Sequence, residues 1–407
     1  MAVDVRTITA PEVGPWVDAM RAGFLNEPVT NPTEAEWRGS FFDLDHTWGA
    51  FDGDRVVGTL RSFDTRLTVP GGRDVPATAL THVTVLASHR RRGLLSRMIL
   101  DDLDACARRG DAVSVLVAAE YPIYGRFGYG PATENVRIEV DTVGLTVTGE
   151  RSGSVEAVDR AAYRAAAPAV YDAYRLAQPG AIQRDGWWWD VTLGIVAVEG
   201  KTPPTFFALG CSDSGDVDGC AAFRIEDHWV EVRPRDRLLL DDLVGATPEA
   251  AVRMWRHCIE IDWVGSIVAD DRGVDELLRW HLHDARALSE RERTDRLWLR
   301  VLDTPGALAG RTYLAPGRLV LEVTDTNGWA AGRFRLDGDR DGATCVPTDD
   351  QPDLALPVQV LSSAYLGGYT LASMARAGLV TECTPGSVAT ADAMFRSAIV
   401  PACPTHF

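Results

Sequence analysis

His82-Val83-Thr84-Val85-Leu86-Ala87-Ser88-His89-Arg90-Arg91-Arg92-Gly93-Leu94-Leu95-Ser96-Arg97 is the stretch of the chain from which the fold can be inferred. Its first six residues are rich in β-branched side chains and predict a strand, whereas apolar residues from Leu94 onward recur at helical spacing up to Arg109. Three arginines and a glycine separate the two elements. Because a helix N-terminus presents unpaired N–H groups and a positive dipole end, this order predicts a binding site for a pyrophosphate.

The basic turn contains neither G-x-x-x-x-G-K-[ST] nor G-x-G-x-x-G, the two general phosphate-binding loops. It resembles instead the Arg-x-x-Gly-x-small turn with which GCN5-related N-acetyltransferases bind coenzyme A. Arg90 and Gly93 match that turn, whereas Leu95 replaces its small residue. A basic helix start on a solvated surface is the alternative, and the turn alone leaves both interpretations open.

Length and charge limit the class of protein. A chain of 407 residues is long enough for about three domains. Its 41 basic and 58 acidic residues give a net charge of −17, which disfavours nucleic acid and anionic membranes as partners. Cationic partners, or solubility alone, are the remaining explanations.

Cysteine usage and hydropathy predict a reduced, cytoplasmic location. The 7 cysteines are odd in number and include no C-x-x-C pair, so neither a disulfide framework nor a zinc site is expected. His257, His281 and His283 lack a third ligand in register, and we expect no metal. The first residues, Met1 to Arg6, lack the apolar core typical of a signal peptide, and no run of about 18 apolar residues is present. We therefore expect a soluble protein without a membrane partner.

The order of predicted elements supports the acetyltransferase interpretation. Two helices and three strands precede the basic turn, and the helix after it leads to a buried strand at 112–119. A tyrosine-rich turn at 120–130 and a strand at 135–140 follow, which completes the βββ-αβ-α-β order of the acetyltransferase fold. Tyr124 to Tyr129 occupies the position at which that superfamily often carries Tyr-x-x-x-Gly-Phe, with Tyr replacing the last residue. Two motifs at the expected separation are much stronger evidence for the acetyltransferase fold than either motif alone.

The remainder of the chain predicts two further domains. Residues 146–292 repeat the same order of elements, with a helical pattern at 154–176, but the turn at 245–247 has neither the arginine nor the second glycine, so this copy is expected to be structural. Residues 293–407 alternate strands and short helices, and two prolines in the last seven residues suggest a docked end. We therefore predict an α+β protein with mixed sheets and domains at 1–145, 146–292 and 293–407.

Across nearly the whole chain the sequence resembles the enhanced intracellular survival (Eis) acetyltransferases. The segments that carry this resemblance are 67–71, 89–95, 123–131, 297–300, 347–349 and 365–368. The resemblance implies tandem acetyltransferase folds followed by a sterol-carrier-like α+β domain. It also implies acetyl-CoA as cosubstrate, acetylation of several amines of an aminoglycoside, and assembly as a homohexamer.

The resemblance implies roles for individual residues. Tyr124 would be the general acid, and the α-carboxylate of Phe407 the general base, directly or through water. The residues expected around acetyl-CoA are Val83, Thr84, Val85, Arg91, Arg92, Gly93, Leu94, Leu95, Ser96, Ala119 and Glu120. His82 and His406 stand where the family has other side chains, an aromatic apolar residue and an acidic residue, which puts the substrate preference in doubt.

Candidates for the substrate groove are Glu27, Trp37, Trp189 and Asp190, together with His82 and His406. Aromatic rings and carboxylates bind cations, although a tryptophan cluster is more often part of a core. The leading hypothesis is an N-acetyltransferase for polycationic small-molecule amines such as aminoglycosides. Acetylation of a protein or peptide lysine is one alternative, and a non-catalytic module that binds a lipid or small ligand is another.

Overall fold

The computed structural model describes residues 3–27, 32–198 and 202–407. The chain divides into two compact units, each of which has its own sheet and core. The first unit comprises Met1–Ala132, Leu297–Ala398 and Phe407, and the second comprises Thr133–Arg296 and Ile399–His406. Each unit is therefore built from separate stretches of the chain.

The helices and strands are numbered here in chain order. The first stretch of the first unit contains β1 (Asp4–Thr7), α1 (Val13–Gly23), α2 (Pro32–Phe41), β2 (Thr47–Asp52), β3 (Arg55–Val69), β4 (Arg73–Val85), α3 (Leu94–Arg109), β5 (Val113–Val117), α4 (Tyr121–Tyr124) and β6 (Gly130–Pro131). The second unit contains β7 (Glu134–Asp141), β8 (Ser154–Val158), α5 (Arg160–Ala177), α6 (Gly186–Thr192), β9 (Phe206–Cys211), β10 (Val217–Glu226), β11 (Trp229–Val230), β12 (Arg233–Pro234), β13 (Asp236–Gly245), α7 (Pro248–Ile259), β14 (Val264–Gly273), α8 (Leu278–His281) and β15 (Leu288–Asp295). The last stretch of the first unit contains β16 (Leu297–Val301), α9 (Thr304–Ala309), β17 (Gly317–Thr324), β18 (Gly332–Gly338), β19 (Ala343–Pro347), β20 (Leu354–Pro357), α10 (Val358–Ala364), α11 (Leu371–Arg376), β21 (Thr381–Glu382) and α12 (Ser387–Phe395).

The first unit is organised around a seven-stranded sheet with the order β1-β2-β3-β4-β5-β16-β6. The apolar stripe that predicts α3 is buried against it, with Met98, Ile99 and Leu103 fully inaccessible to solvent. Burial of one apolar side chain of this size contributes about 1.5–3 kcal/mol, so α3 is held to the sheet mainly by this stripe. The helix predicted at 93–109 is thereby confirmed.

The pairing of β4 with its neighbours changes along its length. β4 runs parallel to β5 only from Ala77–Leu80, which faces Val113–Leu116. On its other edge β4 contains a bulge. Thr59 of β3 faces Thr84, and Arg61 of β3 faces Thr81, so two residues of β4 lie opposite one residue of β3. His82 lies in this bulge with φ +54°. β4 and β5 therefore part beyond Leu80 and leave a cleft between their ends.

The second unit has its own seven-stranded sheet, with the order β15-β7-β14-β13-β10-β9-β8, in which β13 and β14 are parallel. The sequence predicts the strand at 135–140 as the last strand of the first acetyltransferase fold, and this assignment is wrong: β7 pairs with β14 and β15. The first sheet is completed instead by β16, which pairs with β5 and β6. The helical pattern at 154–176 also contains a strand, β8, before α5 begins.

The last part of the first unit is a five-stranded sheet with the order β19-β18-β17-β20-β21, accompanied by four helices. This arrangement agrees with the predicted α+β character of the C-terminal region. The boundaries at 145/146 and 292/293 stay a prediction. Of the helices in the described residues, none is both long and apolar enough to cross a membrane.

Candidate active site

The N-terminus of α3 has the geometry of an anion-binding site. Its N-cap residue is Gly93, which has φ +78° and no side chain with which to cap the helix. The first N–H groups of a helix lack intrahelical partners, so those at the start of α3 remain available to an anion. Arg91 and Arg92 are exposed beside them. Arg91 has φ +62°, a conformation that costs a non-glycine residue of order 1 kcal/mol and is typical of functional turns.

The residues before Gly93 are fixed by contacts with the sheet. Arg90 Nε donates to the carbonyl of Val85 at 3.2 Å, and buried His89 places Nε2 3.1 Å from Asp52 Oδ2. The hydrogen bond with His89 lowers the pKa of the Asp52 carboxyl. These contacts anchor the turn from within, and they leave the guanidinium of Arg91 on the exposed side.

The end of β4 supplies backbone rather than side-chain groups to the cleft. The side chain of Thr84 is buried, and its Oγ1 lies 3.1 Å from Oγ1 of Thr59. Gly23 of α1 approaches Thr84 so closely that an added Cβ would lie 2.2 Å from Thr84 Oγ1. Among the described residues, β5 pairs with β4 no further than Leu80, so the β5-facing edge from Val83 to Val85 is open to a ligand. Ala119 and Glu120, both exposed, follow the end of β5.

Tyr124 is the last residue of α4, the short helix that begins directly after the exposed residues Ala119 and Glu120. Only 7 % of its surface is exposed. Burial, with a smaller contribution from the charge of Glu120, raises the pKa of its hydroxyl to about 12. Within the described part of the chain Tyr124 Oη makes no hydrogen bond, whereas Tyr129 Oη is bonded to Ser114 Oγ at 2.7 Å. Tyr124 is therefore a protonated phenol whose single hydrogen is available to a ligand.

An aromatic cluster in the first unit contains Trp37 and His82, which are predicted for the substrate groove, and Phe407, the predicted general base. Its ring pairs, with centroid separations of 4.5 to 6.0 Å, are Trp37–Phe41, Phe41–Phe42, Phe42–Trp16, Trp16–His82 and Phe63–Phe407. The buried guanidinium of Arg61 lies 4.7 to 5.2 Å from the rings of Phe41, Phe42 and Phe63, and so joins the last pair to the others. We refer to these residues as the aromatic cluster.

The sequence interpretation missed Trp16, Phe41, Phe42, Phe63 and Arg61 as neighbours of the predicted site. Trp16 belongs to the apolar face of α1, and its burial is what that pattern predicts. Phe41 is the last residue of α2, a helix with a weak apolar stripe, and Phe42 follows it. This apolar pair at a helix end was the available signal. Exposed Glu27 lies in the same unit, and its carbonyl accepts a hydrogen bond from Arg21 Nε at 2.6 Å.

Three other substrate candidates lie in the second unit. Trp189 is only 2 % exposed and packs edge-on against Trp188 and Tyr171, so its ring is part of the core. Asp190 forms an ion pair with Arg164 at 2.8 Å. His406 is exposed, and its carbonyl accepts a hydrogen bond from Trp188 Nε1 at 2.8 Å. The aromatic packing of Trp189 favours a structural role for that side chain.

The second copy of the turn differs from the first in how its helix begins. Thr247 caps α7, and its hydroxyl accepts a hydrogen bond from Ala250 N–H at 3.1 Å. Glu249 adds a negative charge to the same turn. An N-terminus that is capped by its own side chain and carries a carboxylate is a poor site for a pyrophosphate. Among the described residues, no group of three or more His, Cys, Asp or Glu side chains is arranged to hold a metal ion.

Comparisons with known families match all three parts of the chain. The family model described as "Acetyltransferase (GNAT) domain" matches residues 4–132, and a second model with the same description matches residues 180–301. The model described as "Sterol carrier protein domain" matches residues 304–404. These matches confirm the predicted fold class, two acetyltransferase folds followed by a sterol-carrier-like domain.

Individual relatives agree with the family models. An uncharacterized N-acetyltransferase of Streptomyces avermitilis is 40% identical over 413 residues, which covers 100% of this chain and 99% of the relative. The N-acetyltransferase Eis of Mycobacterium tuberculosis is 33% identical over 339 residues, which covers 81% of this chain and 80% of the relative. The crystal structure of Eis1 from Mycobacterium abscessus is similar with a TM-score of 0.88 and 31% identity, over 99% of this chain and 100% of that one.

Proposed function

The chain belongs to the Eis family of GCN5-related N-acetyltransferases, and from this premise we propose that it transfers the acetyl group of acetyl-CoA to amines of polycationic small molecules such as aminoglycosides. The observation that carries the proposal is that three features meet in one core cluster, which contains Val85, Leu94 and Tyr124. They are the open edge of β4, the uncapped N-terminus of α3 and the protonated phenol of Tyr124. The pyrophosphate of the cosubstrate binds at Gly93, Leu94, Leu95 and Ser96, with Arg91 and Arg92 beside it. Its pantetheine arm follows the backbone of Val83 to Val85.

Tyr124 acts as the general acid in this proposal. Attack of a neutral amine on the thioester forms a tetrahedral oxyanion, and its collapse breaks the carbon–sulfur bond. The departing thiolate, with a reference pKa of about 8.5, then takes the proton of Tyr124. The raised pKa of Tyr124 keeps that proton in place before the reaction. The backbone N–H of Val83 serves the oxyanion.

The carboxylate of Phe407 assists the amine. A carboxylate with a reference pKa of about 3.5 is a weak base for an ammonium of about 8, so we assign it to positioning the cation and to accepting its proton through water. Phe407 is packed edge-on against Phe63 at 5.8 Å, which places it on the aromatic cluster. Aromatic faces attract cations, and the net charge of −17 favours their approach.

The proposal is tested by measuring the release of free CoA in the presence of kanamycin-like amines. Peptides with a free lysine serve as comparison substrates, and the same peptides with N-acetyl-lysine serve as controls. Turnover of the polycationic amine at a higher kcat/KM than the lysine peptide is expected. Absence of turnover with every polycationic amine would contradict it, and a faster lysine peptide would favour protein or peptide acetylation. A semisynthetic chain that carries a carboxamide at Phe407 removes the charge and keeps the ring, so it tests the carboxylate separately.

We further propose that the chain assembles as a homohexamer and that the second unit contributes an interface. Trp229 and Trp263 are 50% and 64% exposed, and their rings lie 6.1 Å apart. Exposed apolar patches of this kind commonly mark protein contacts. Sedimentation equilibrium should give six chains for the wild type and smaller assemblies for the Trp229→Ser, Trp263→Ser double variant. A wild-type monomer would contradict the proposal.

A further inference from the structure

The last residues before Phe407 belong to the second unit, and each of the four positions 403–406 is hydrogen-bonded to another part of that unit. Asn135 Nδ2 donates to the carbonyl of Cys403 at 2.8 Å, and Arg184 Nη2 approaches the carbonyl of Pro404 at 3.5 Å. Thr405 is 1 % exposed and bonds through its side chain, while Trp188 Nε1 donates to the carbonyl of His406. We call the residues that hold this segment, Asn135, Arg184 and Trp188 together with Tyr171 and Asp242, the tail clamp.

Arg184 is the centre of the tail clamp. Its guanidinium lies 3.8 Å from the ring centroid of Tyr171 and 3.9 Å from that of Trp188. Asp242 accepts two hydrogen bonds from it, at 2.7 and 3.2 Å. A paired, planar guanidinium between two aromatic rings has little freedom to move. Its Nε–H donates to Thr405 Oγ1 at 3.1 Å.

The hydrogen bonds through Thr405 have one possible direction. Tyr171 donates its single hydroxyl hydrogen to the carbonyl of Ile182 at 2.7 Å, since a carbonyl can only accept. In the 2.8 Å contact between Tyr171 and Thr405, Thr405 must therefore be the donor. The oxygen of Thr405 in turn accepts from Arg184 Nε. The chain Arg184 to Thr405 to Tyr171 to Ile182 is complete, and it requires a hydroxyl at residue 405.

From these contacts we propose that the tail clamp is a positioning device for Phe407, and that Thr405 and Arg184 act on the reaction through the terminal carboxylate. This inference rests on the role proposed above for that carboxylate. Phe407 is bonded directly to His406, so a clamp that fixes residues 403–406 restricts where the carboxylate can lie.

The experiment compares Thr405→Val with Thr405→Ser. Valine keeps the shape and removes both hydrogen bonds, whereas serine keeps them. We expect Thr405→Val to lower kcat for the amine by roughly 10- to 100-fold through misplacement of the carboxylate, with the KM for acetyl-CoA within about twofold of wild type. Thr405→Ser should recover most of the rate. Equal kcat for the valine and wild-type proteins would overturn the inference.

A second comparison separates positioning from general stability. In the chain with a carboxamide at Phe407, Thr405→Val should lower kcat by no more than about twofold, because the group it positions has already been removed. A loss of the same size in both backgrounds indicates a merely structural role and overturns the inference. Full activity of the carboxamide protein alone contradicts the role proposed for the carboxylate. If Thr405→Val does not fold, Trp188→Phe serves instead, because it removes the N–H that binds the carbonyl of His406 and keeps an aromatic ring, although a smaller one, beside Arg184.

Discussion

The rings of Tyr124 and Tyr129 pack edge-on, with centroids 6.1 Å apart, yet their hydroxyl groups have different surroundings. Tyr129 is completely buried and bonded to Ser114, whereas Tyr124 makes no hydrogen bond within the described part of the chain. Two phenols in one core cluster thus differ in whether the hydroxyl group is already hydrogen-bonded to the protein. This difference provides a matched pair of Tyr→Phe substitutions.

We expect Tyr124→Phe to lower kcat by about 10²- to 10⁴-fold, the range for loss of a general acid, with little change in unfolding free energy. Tyr129→Phe should show the opposite pattern, because it removes the bond to Ser114 and costs about 1 kcal/mol of stability. Initial-rate kinetics and urea unfolding of both variants check this prediction. Comparable activity of the two variants would remove Tyr124 from the chemistry.

The pKa of Tyr124 gives a prediction for alkaline stability. Burial raises it from the ordinary value of 10 to about 12, so the folded state favours the neutral phenol. The corresponding stabilisation is present below pH 10 and is lost as the pH rises toward 12. Relative to Tyr124→Phe, which cannot ionise, the wild type should lose about 1.4 kcal/mol between pH 9 and pH 11. Urea unfolding at the two pH values measures the difference, and parallel curves would show that the hydroxyl is not desolvated.

Glycines at the two ends of α3 test the anion site. Gly93 and Gly110 have φ +78° and +90°, and neither would place an added Cβ within 4 Å of another atom. Alanine at either position is strained and should cost about 1 kcal/mol of stability. Only Gly93→Ala should also weaken the binding of CoA, because the pyrophosphate is proposed to bind at that end of the helix. Isothermal titration with CoA checks the prediction, and an equal loss of affinity for Gly110→Ala would contradict it.

The buried ion pair of Arg300 and Asp325 should control the stability of the first unit. Their side chains are 0% and 1% exposed and 2.6 Å apart, and Arg300 Nε also donates to the carbonyl of Phe127. Asp325→Ala leaves the guanidinium buried without its partner and should cost about 3–5 kcal/mol. Asp104→Ala, which breaks the exposed i,i+4 pair with Arg108, should change stability by less than about 0.5 kcal/mol. Equal unfolding midpoints for both variants would contradict this.

Local elements of the site could be predicted from the sequence, since they depend on local patterns. The stripe Met98, Ile99 and Leu103 specifies α3, and Gly93 and Gly110 mark its two ends. The exchange of β7 and β16 could not be predicted, because the residues of neither strand specify the sheet to which it belongs. Pairing between distant segments is decided by tertiary packing, which single-strand patterns do not encode.

The adjacent residues Trp188 and Trp189 illustrate the same limit at the level of side chains. The sequence predicts an aromatic cluster at 187–189, but it does not show that Trp189 lies in the core while Trp188 binds the tail. Arg184 was missed altogether. An arginine three to five residues before a run of tryptophans was the available signal, because guanidinium groups stack on aromatic rings.

The place of β16 in the first sheet also determines when that sheet can form during synthesis. Residues 1–145 contain the predicted cofactor-binding residues and Tyr124, but they lack the strand that covers the free edge of β5. A nascent chain must therefore keep β5 as an exposed, apolar edge until more than 150 further residues have been made. Such edges promote association between chains, and contacts between distant segments slow folding. An expressed fragment of residues 1–145 should accordingly aggregate, whereas co-expression with a chain that supplies Leu297–Val301 should restore solubility.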